Sequence, residues 1–202
     1  MSDPIHQAPS ENFYFESAFN SQAAKILPGE YHVTNQNIVL VTLLGSCVTA
    51  CIRDPLNGIG GMNHFLLPDT SNKQGPGSDS ARYGAYAMEL LINQLTKMGA
   101  ARRRLEAKVF GGANVLSGLA QNLVGKRNSE FVLEFLHTEG IPLLAQDLGG
   151  KHARKVAYFP ATGEARLKRL VEAPPETLLD AERRYRKQIS DGPIAGDIEL
   201  FD

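Results

Sequence analysis

The stretch Ile38-Val39-Leu40-Val41-Thr42-Leu43-Leu44-Gly45-Ser46-Cys47-Val48-Thr49-Ala50-Cys51-Ile52 decides how this chain is read. Its first seven residues are apolar and rich in β-branched side chains, which predicts a strand. Gly45-Ser46 interrupts the run, and Cys47 to Ile52 resume it as strand. Cys47 and Cys51 are the only cysteines of the chain. On a regular strand they share a face about 13 Å apart, too far for a disulfide. A thioredoxin-type redox pair needs two intervening residues, and here there are three. Cys51, between Ala50 and Ile52, reads as a buried structural thiol. Cys47 reads either as a second buried thiol, the commoner case, or as a nucleophile. Gly45 favours the second reading, because a glycine permits a sharp turn and close approach of a substrate. Backbone N–H groups near Ser46 and Cys47 are then placed to face an oxyanion.

A nucleophilic cysteine needs a base, and His64 is the nearest histidine that follows. Between them, Arg53-Asp54-Pro55-Leu56-Asn57-Gly58 is a turn cluster, and Ile59 to Pro68 reads as a returning strand. A turn centred between Pro55 and Leu56 sets Cys47 directly opposite His64, with Cβ atoms about 5 Å apart. The competing reading is a half-buried strand histidine. A third residue would hold the imidazole in one tautomer. Thr42 is the first candidate. Five residues before Cys47 on what reads as the same strand, it falls on the opposite face unless a bulge at Gly45 restores it. Thr34, Asn63 and Asn114 are further candidates. Gly45, Ser46 and Asn63 are read as shaping the oxyanion and substrate pocket.

With 202 residues, 43% of them hydrophobic, the chain is long enough to bury one ordinary core. Lys and Arg total 21 against 22 Asp and Glu, a formal net charge of -1, which argues against a general nucleic-acid binder. No apolar run approaches the roughly 20 residues of a membrane helix. The opening residues lack the pattern of a secretory signal, so the reducing cytoplasm is the expected compartment. The five histidines (His6, His32, His64, His137 and His152) show no paired zinc-finger spacing, and no metal or organic cofactor is expected.

Outward from the centre, residues 1–24 read as a flexible, polar tail whose Phe13-Tyr14-Phe15 cluster either hangs free or docks as an arm. Asp69 to Asp79 reads as a loop near the site. Tyr83, Ala87, Leu90, Leu91, Leu95 and Met98 have helical spacing, capped by Ser80 or Asp79 and ended by Gly99. Arg102-Arg103-Arg104 reads as a solvated turn. Leu105 to Phe110 is a strand, and Gly111-Gly112 after it is read as allowing close backbone packing rather than as a phosphate loop. A second helical stretch runs from about Val115 to Glu139, with a break expected between Asn122 and Ser129. Further strands lie at Leu143–Leu148, Lys155–Phe159 and Ala165–Val171. Pro174-Pro175 marks a boundary. Thr177 to Ser190 reads as an exposed, mixed-charge helix, followed by a polar, acidic end at Gly192 to Asp202. The pattern is α+β, with a domain at 25–173 and a C-terminal extension at 174–202.

The ordered set Thr42-Leu43-Leu44-Gly45-Ser46-Cys47-Val48, Arg53-Asp54-Pro55, Gly61-Met62-Asn63-His64-Phe65-Leu66-Leu67-Pro68, Arg82-Tyr83-Gly84, Met98-Gly99-Ala100 and Ala107-Lys108-Val109-Phe110-Gly111-Gly112-Ala113-Asn114 resembles the CheD family of chemoreceptor glutamine deamidases, over roughly residues 25 to 160. The resemblance implies two packed mixed sheets flanked by helices in one domain, and a Cys–His–Thr set at Cys47, His64 and Thr42. It implies chemoreceptor cytoplasmic domains as substrates and a CheC-type phosphatase as partner, with neither nucleic acid nor membrane insertion. The Cys–His pair alone also fits a cysteine peptidase or a transglutaminase-like hydrolase, and a non-catalytic partner role in chemotactic adaptation stays open.

Overall fold

The structure, a computed structural model, describes residues 8–68, 79–115, 122–171 and 176–191. In chain order its strands are β1 (Ala8–Pro9), β2 (Phe13–Glu16), β3 (Ser21–Lys25), β4 (Glu30–Thr34), β5 (Val39–Leu44), β6 (Val48–Asp54), β7 (Ile59–Asn63), β8 (Glu106–Gly111), β9 (Leu143–Leu148), β10 (Ala153–Phe159) and β11 (Glu164–Leu170). The helices are α1 (Asp79–Lys97), α2 (Asn122–Thr138) and α3 (Glu176–Asp191). Two mixed sheets form, one of six strands in the order β1-β4-β7-β6-β8-β9 and one of five in the order β11-β10-β5-β3-β2.

Strand alternation sorts the side chains into three layers. Val48, Ala50 and Ile52 of β6 face Met88, Leu91, Ile92 and Leu95 of α1 and Val132 and Leu136 of α2, so both helices cover one face of the six-stranded sheet. Cys47, Cys51, Met62 and Phe110 point the other way, onto Leu40, Leu44, Val156 and Tyr158 of the five-stranded sheet. The outer face of that second sheet carries a small cluster of Ala23, Val39, Val41 and Ala157 under Tyr14, Phe19 and Phe159. No described helix is long and apolar enough to cross a membrane.

Several expectations are corrected. Residues 8–25 are not a tail: β1 pairs with β4 at the edge of one sheet, and the β2–β3 hairpin closes the edge of the other. Phe13 packs edge-on against His32 at 5.3 Å, and Tyr14 joins the outer cluster, so the aromatics dock on the domain. The arm is held because β3 buries Ala23 and Ala24 and extends the second sheet in parallel from β5. The hairpin of β6 and β7 pairs Cys51 with Met62 and Asp54 with Ile59, around a Pro55–Gly58 turn. That is two residues away from the expected register, and it would set Leu66 rather than His64 opposite Cys47. Asp54 explains it: its carboxylate accepts the Leu56 and Ala101 N–H groups and both arms of Arg104, so it closes the turn from beneath. Arg104 is thereby an ion-pair partner, and Arg102 binds Glu89 and Glu139, rather than forming a merely solvated turn.

Helix α1 ends as expected before Gly99, whose φ is +105°. Within the stretch expected to be broken between Asn122 and Ser129, α2 runs continuously. The loop after Pro68, the first residues of the second helical stretch, Pro174-Pro175 and the acidic end lie outside the described residues.

Candidate active site

Residues 45–47 carry the chain from the five-stranded sheet into the six-stranded one. Their three carbonyls are all pinned outward: Gly45 O accepts from Ala113 N (2.8 Å), Ser46 O from Asn128 Nδ2 (2.8 Å) and Cys47 O from Gly112 N (2.7 Å). The three N–H groups are therefore turned together toward the opposite side. Gly111 and Gly112 make this possible. Both have positive φ, and a Cβ on Gly111 would lie 2.2 Å from Cys47 O. The expected role of Gly111-Gly112 in close backbone packing against the active strands is what the structure displays.

Thr42 and Cys47 are not on one strand. Thr42 belongs to β5 in the second sheet, whereas Cys47 enters β6 in the first, and Thr42 reaches across the intersheet space to His64. No bulge is needed, because strand alternation does not relate residues of two facing sheets. Thr42 Oγ1 donates to Ile26 O at 2.7 Å and lies 2.8 Å from His64 Nδ1. The hydroxyl's one proton is engaged by Ile26, so Thr42 can only accept from Nδ1. Ile26 O, 3.4 Å from Nδ1, is a second acceptor there. Both require the proton on Nδ1 and leave the lone pair on Nε2. Nε2 is buried with no hydrogen-bond partner among the described residues.

Cys47 Sγ, a ring nitrogen of His64 and a carboxylate oxygen of Glu182 lie within 4.8 Å of one another, all buried. The two-residue shift of the hairpin preserves this meeting, since a slip of two keeps every side chain on its face. Glu182 comes from α3. Its carboxylate accepts from Gly45 N (2.9 Å), Cys47 N (3.3 Å), Ser46 N (3.2 Å) and Ser46 Oγ (2.8 Å). Gly45 leaves room for this approach: a Cβ there would stand 2.9 Å from Glu182 Oε1, so a side chain would push the carboxylate aside.

Cysteine, histidine and glutamate together are a zinc-type donor set. Here, however, four hydrogen-bond donors already take up both carboxylate oxygens, and a nest of converging N–H groups favours an anion over a cation. Burial, and next the Glu182 carboxylate, push the Cys47 thiol well up. Burial pulls the His64 imidazole down to about 4, against the pull of Glu182. In this arrangement both groups are neutral.

Of the other candidate residues, Asn63 faces the helical layer. Its Oδ1 accepts from Ala50 N and its Nδ2 donates to Ala87 O, so the structure does not bring it to the site. Thr34 accepts from Gln36 N at the far end of β4, and Asn114 lines a separate surface cleft of about 820 Å³. Cys51 is a free, buried thiol in the intersheet core. Two residues absent from the sequence reading are central. Asn128 ties the loop to α2 while its Oδ1 accepts from Leu67 N. Glu182 had a signal: it sits in the stripe Leu178, Glu182, Tyr185, Ile189, the buried face of α3.

Together these features define a two-sheet α+β protein with a buried Cys–His–Thr constellation beside an anion-holding backbone loop. The chain belongs to the CheD family: the family model described as CheD chemotactic sensory transduction matches residues 66–169. It is 51% identical, over the full length of both chains, to the probable chemoreceptor glutamine deamidase CheD of Methylobacillus flagellatus. It is 57% identical to a probable chemoreceptor glutamine deamidase CheD 1 of Dechloromonas aromatica, over 94% of each chain. A solved structure, the hypothetical protein YfiH of Bacillus licheniformis, superposes with a TM-score of 0.39 at 12% identity, covering 72% of this chain and 64% of that one.

Proposed function

We propose that this protein deamidates glutamine side chains of chemoreceptors, with Cys47 as nucleophile, His64 as base and acid, and Thr42 as the residue that fixes the imidazole. The observation that carries the reading is the Thr42–His64 contact at 2.8 Å, which leaves Nε2 without a partner among the described residues, on a ring that meets Cys47 Sγ within 4.8 Å. The relatives named as chemoreceptor glutamine deamidases supply the substrate class.

His64 Nε2 takes the Cys47 proton, and Sγ bonds to the carboxamide carbon of the substrate glutamine. The carbonyl oxygen becomes an oxyanion, and the Gly45 and Cys47 N–H groups, which now converge on one oxygen of Glu182, are the donors for it. The C–N bond breaks as His64 returns the proton to the leaving nitrogen, and ammonia departs. Water, deprotonated by His64, attacks the thioester. The C–S bond breaks, and glutamate and the free thiol result. Net, glutamine and water give glutamate and ammonia. The protein's own side chains and amides carry each of these steps. On this reading it works in the cytoplasm, on the cytoplasmic domains of receptors.

The test is peptide mass spectrometry of a receptor cytoplasmic domain incubated with the protein and with its Cys47→Ala variant. Site-specific conversion of glutamine to glutamate by the wild type alone is the expected result. Equal conversion by the variant would remove Cys47 from the mechanism, and cleaved or crosslinked receptor would assign a different acyl transfer.

A further inference from the structure

Helix α3 is attached to the domain by one face only. Leu178, Glu182, Tyr185 and Ile189 are buried, while Arg183, Arg184, Lys187 and Gln188 between them are exposed. Tyr185 meets Tyr83 of α1 through their hydroxyls, and Tyr185 and Ile189 pack with Phe110 and Val124. At the centre of this face Glu182 fills the pocket that faces Cys47.

The chemistry of that pocket is matched to a carboxylate. A side-chain carboxylate accepts at both oxygens, as Glu182 does with four donors. A carboxamide accepts at one oxygen and would turn its own NH2 toward the Ser46 N–H. The occupant is therefore the same group, on the same side chain, as the product of the reaction proposed above. While it is seated, no carboxamide reaches Sγ, and the thiol is shut from water.

Resting on the deamidase reading, we infer that α3 is a built-in product mimic: Glu182 holds the product's seat in a closed state, and α3 must swing away before a receptor glutamine reaches Cys47. The protein is thus self-inhibited, and a substrate competes with its own C-terminal helix. Because the occupant is helical, the segment that displaces α3 is a helix with glutamine at the position of Glu182 and apolar residues four before, three after and seven after it.

Three measurements on the full-length chain test this. The first is iodoacetamide labelling of Cys47 and Cys51, read by peptide mass spectrometry, in the wild type and in Glu182→Ala. Loss of the four hydrogen bonds should raise Cys47 labelling about tenfold or more, with Cys51, deep in the intersheet core, still unlabelled. Unchanged Cys47 labelling would overturn the inference. So would equal labelling of both cysteines, which would make α3 part of the structural core rather than a removable plug. The second is receptor deamidation by Glu182→Ala, for which a lower KM at an unchanged kcat is expected, and an unchanged or raised KM would overturn competition. If the receptor is converted by neither protein while Cys47 labelling still rises, the deamidase reading fails and the plug stands. The third is Glu182→Gln, whose introduced glutamine should convert slowly to glutamate unless Cys47 is also replaced. Persistence of that glutamine while the same variant converts a receptor would show that the seat of Glu182 is not the reactive one.

Discussion

Thr42 Oγ1 and His64 Nδ1 are 2.8 Å apart although the two residues sit in different sheets, one on β5 and the other just past β7. The contact ties the two sheets together at the site and assigns the imidazole tautomer. Thr42→Val keeps the shape and removes the acceptor. It should lower kcat for glutamine conversion by about 100-fold with little change in KM, since orientation of the base rather than binding is lost. Thr42→Ser should retain much of the rate. A loss under about twofold in Thr42→Val would show that Ile26 O alone positions the ring.

Stability should carry the mark of the buried histidine. Burial lowers the folded-state pKa of His64 to about 4, below the ordinary value of about 6.5. Below the ordinary value the unfolded chain takes up a proton that the folded protein refuses. The contribution is therefore fully present above about pH 6.5 and is lost as pH falls toward 4. Denaturant titrations should show stability dropping by a few kcal/mol over this window, with a shallower drop in His64→Gln. Parallel pH profiles would place the loss elsewhere.

Gly111 and Gly58 make a matched pair. Both have positive φ, but a Cβ on Gly111 meets Cys47 O at 2.2 Å, while one on Gly58 meets nothing within 4 Å. Gly58→Ala should cost about 1 kcal/mol from backbone strain alone and leave activity intact. Gly111→Ala must displace the Cys47 loop, and a misplacement of about 1 Å costs about 100-fold in rate. Steady-state kinetics beside urea unfolding would separate the two effects; equal activity in both variants would contradict the packing role.

Asp54 anchors the turn that brings His64 back toward Cys47. It is fully buried and holds two backbone N–H groups as well as Arg104. The Arg104 guanidinium keeps its carboxyl well below the usual carboxylate range. Asp54→Ala leaves those donors unpaired in the interior and should destabilise the fold by about 3 kcal/mol. A shift in the urea midpoint worth less than about 1 kcal/mol would mean that water replaces the carboxylate.

Much of this is legible in the residues. Strands 39–44 and 48–54 declare themselves as short apolar runs with β-branched residues, and α1 by its apolar spacing and Gly99. Cys47 and His64 stand out by the glycine before one and the turn between them. The β1–β3 arm is not legible, because Ser21-Gln22-Ala23-Ala24-Lys25 has little strand character of its own and becomes a strand by pairing with β5. The hairpin register is hidden for a similar reason: Asp54, which sets it, acts through Ala101 and Arg104, which are distant in the chain.

The sequence by itself determined the strands from residue 39 onward, the stretches that hold the helices, and which cysteine and histidine are candidates, since these follow from local periodicity and turn chemistry. Only the tertiary structure decided that Thr42 faces His64 from a second sheet, and that Glu182, 135 residues after Cys47, fills the pocket beside it. Sheet membership and helix docking depend on which distant surfaces bury each other, and no local pattern encodes that choice.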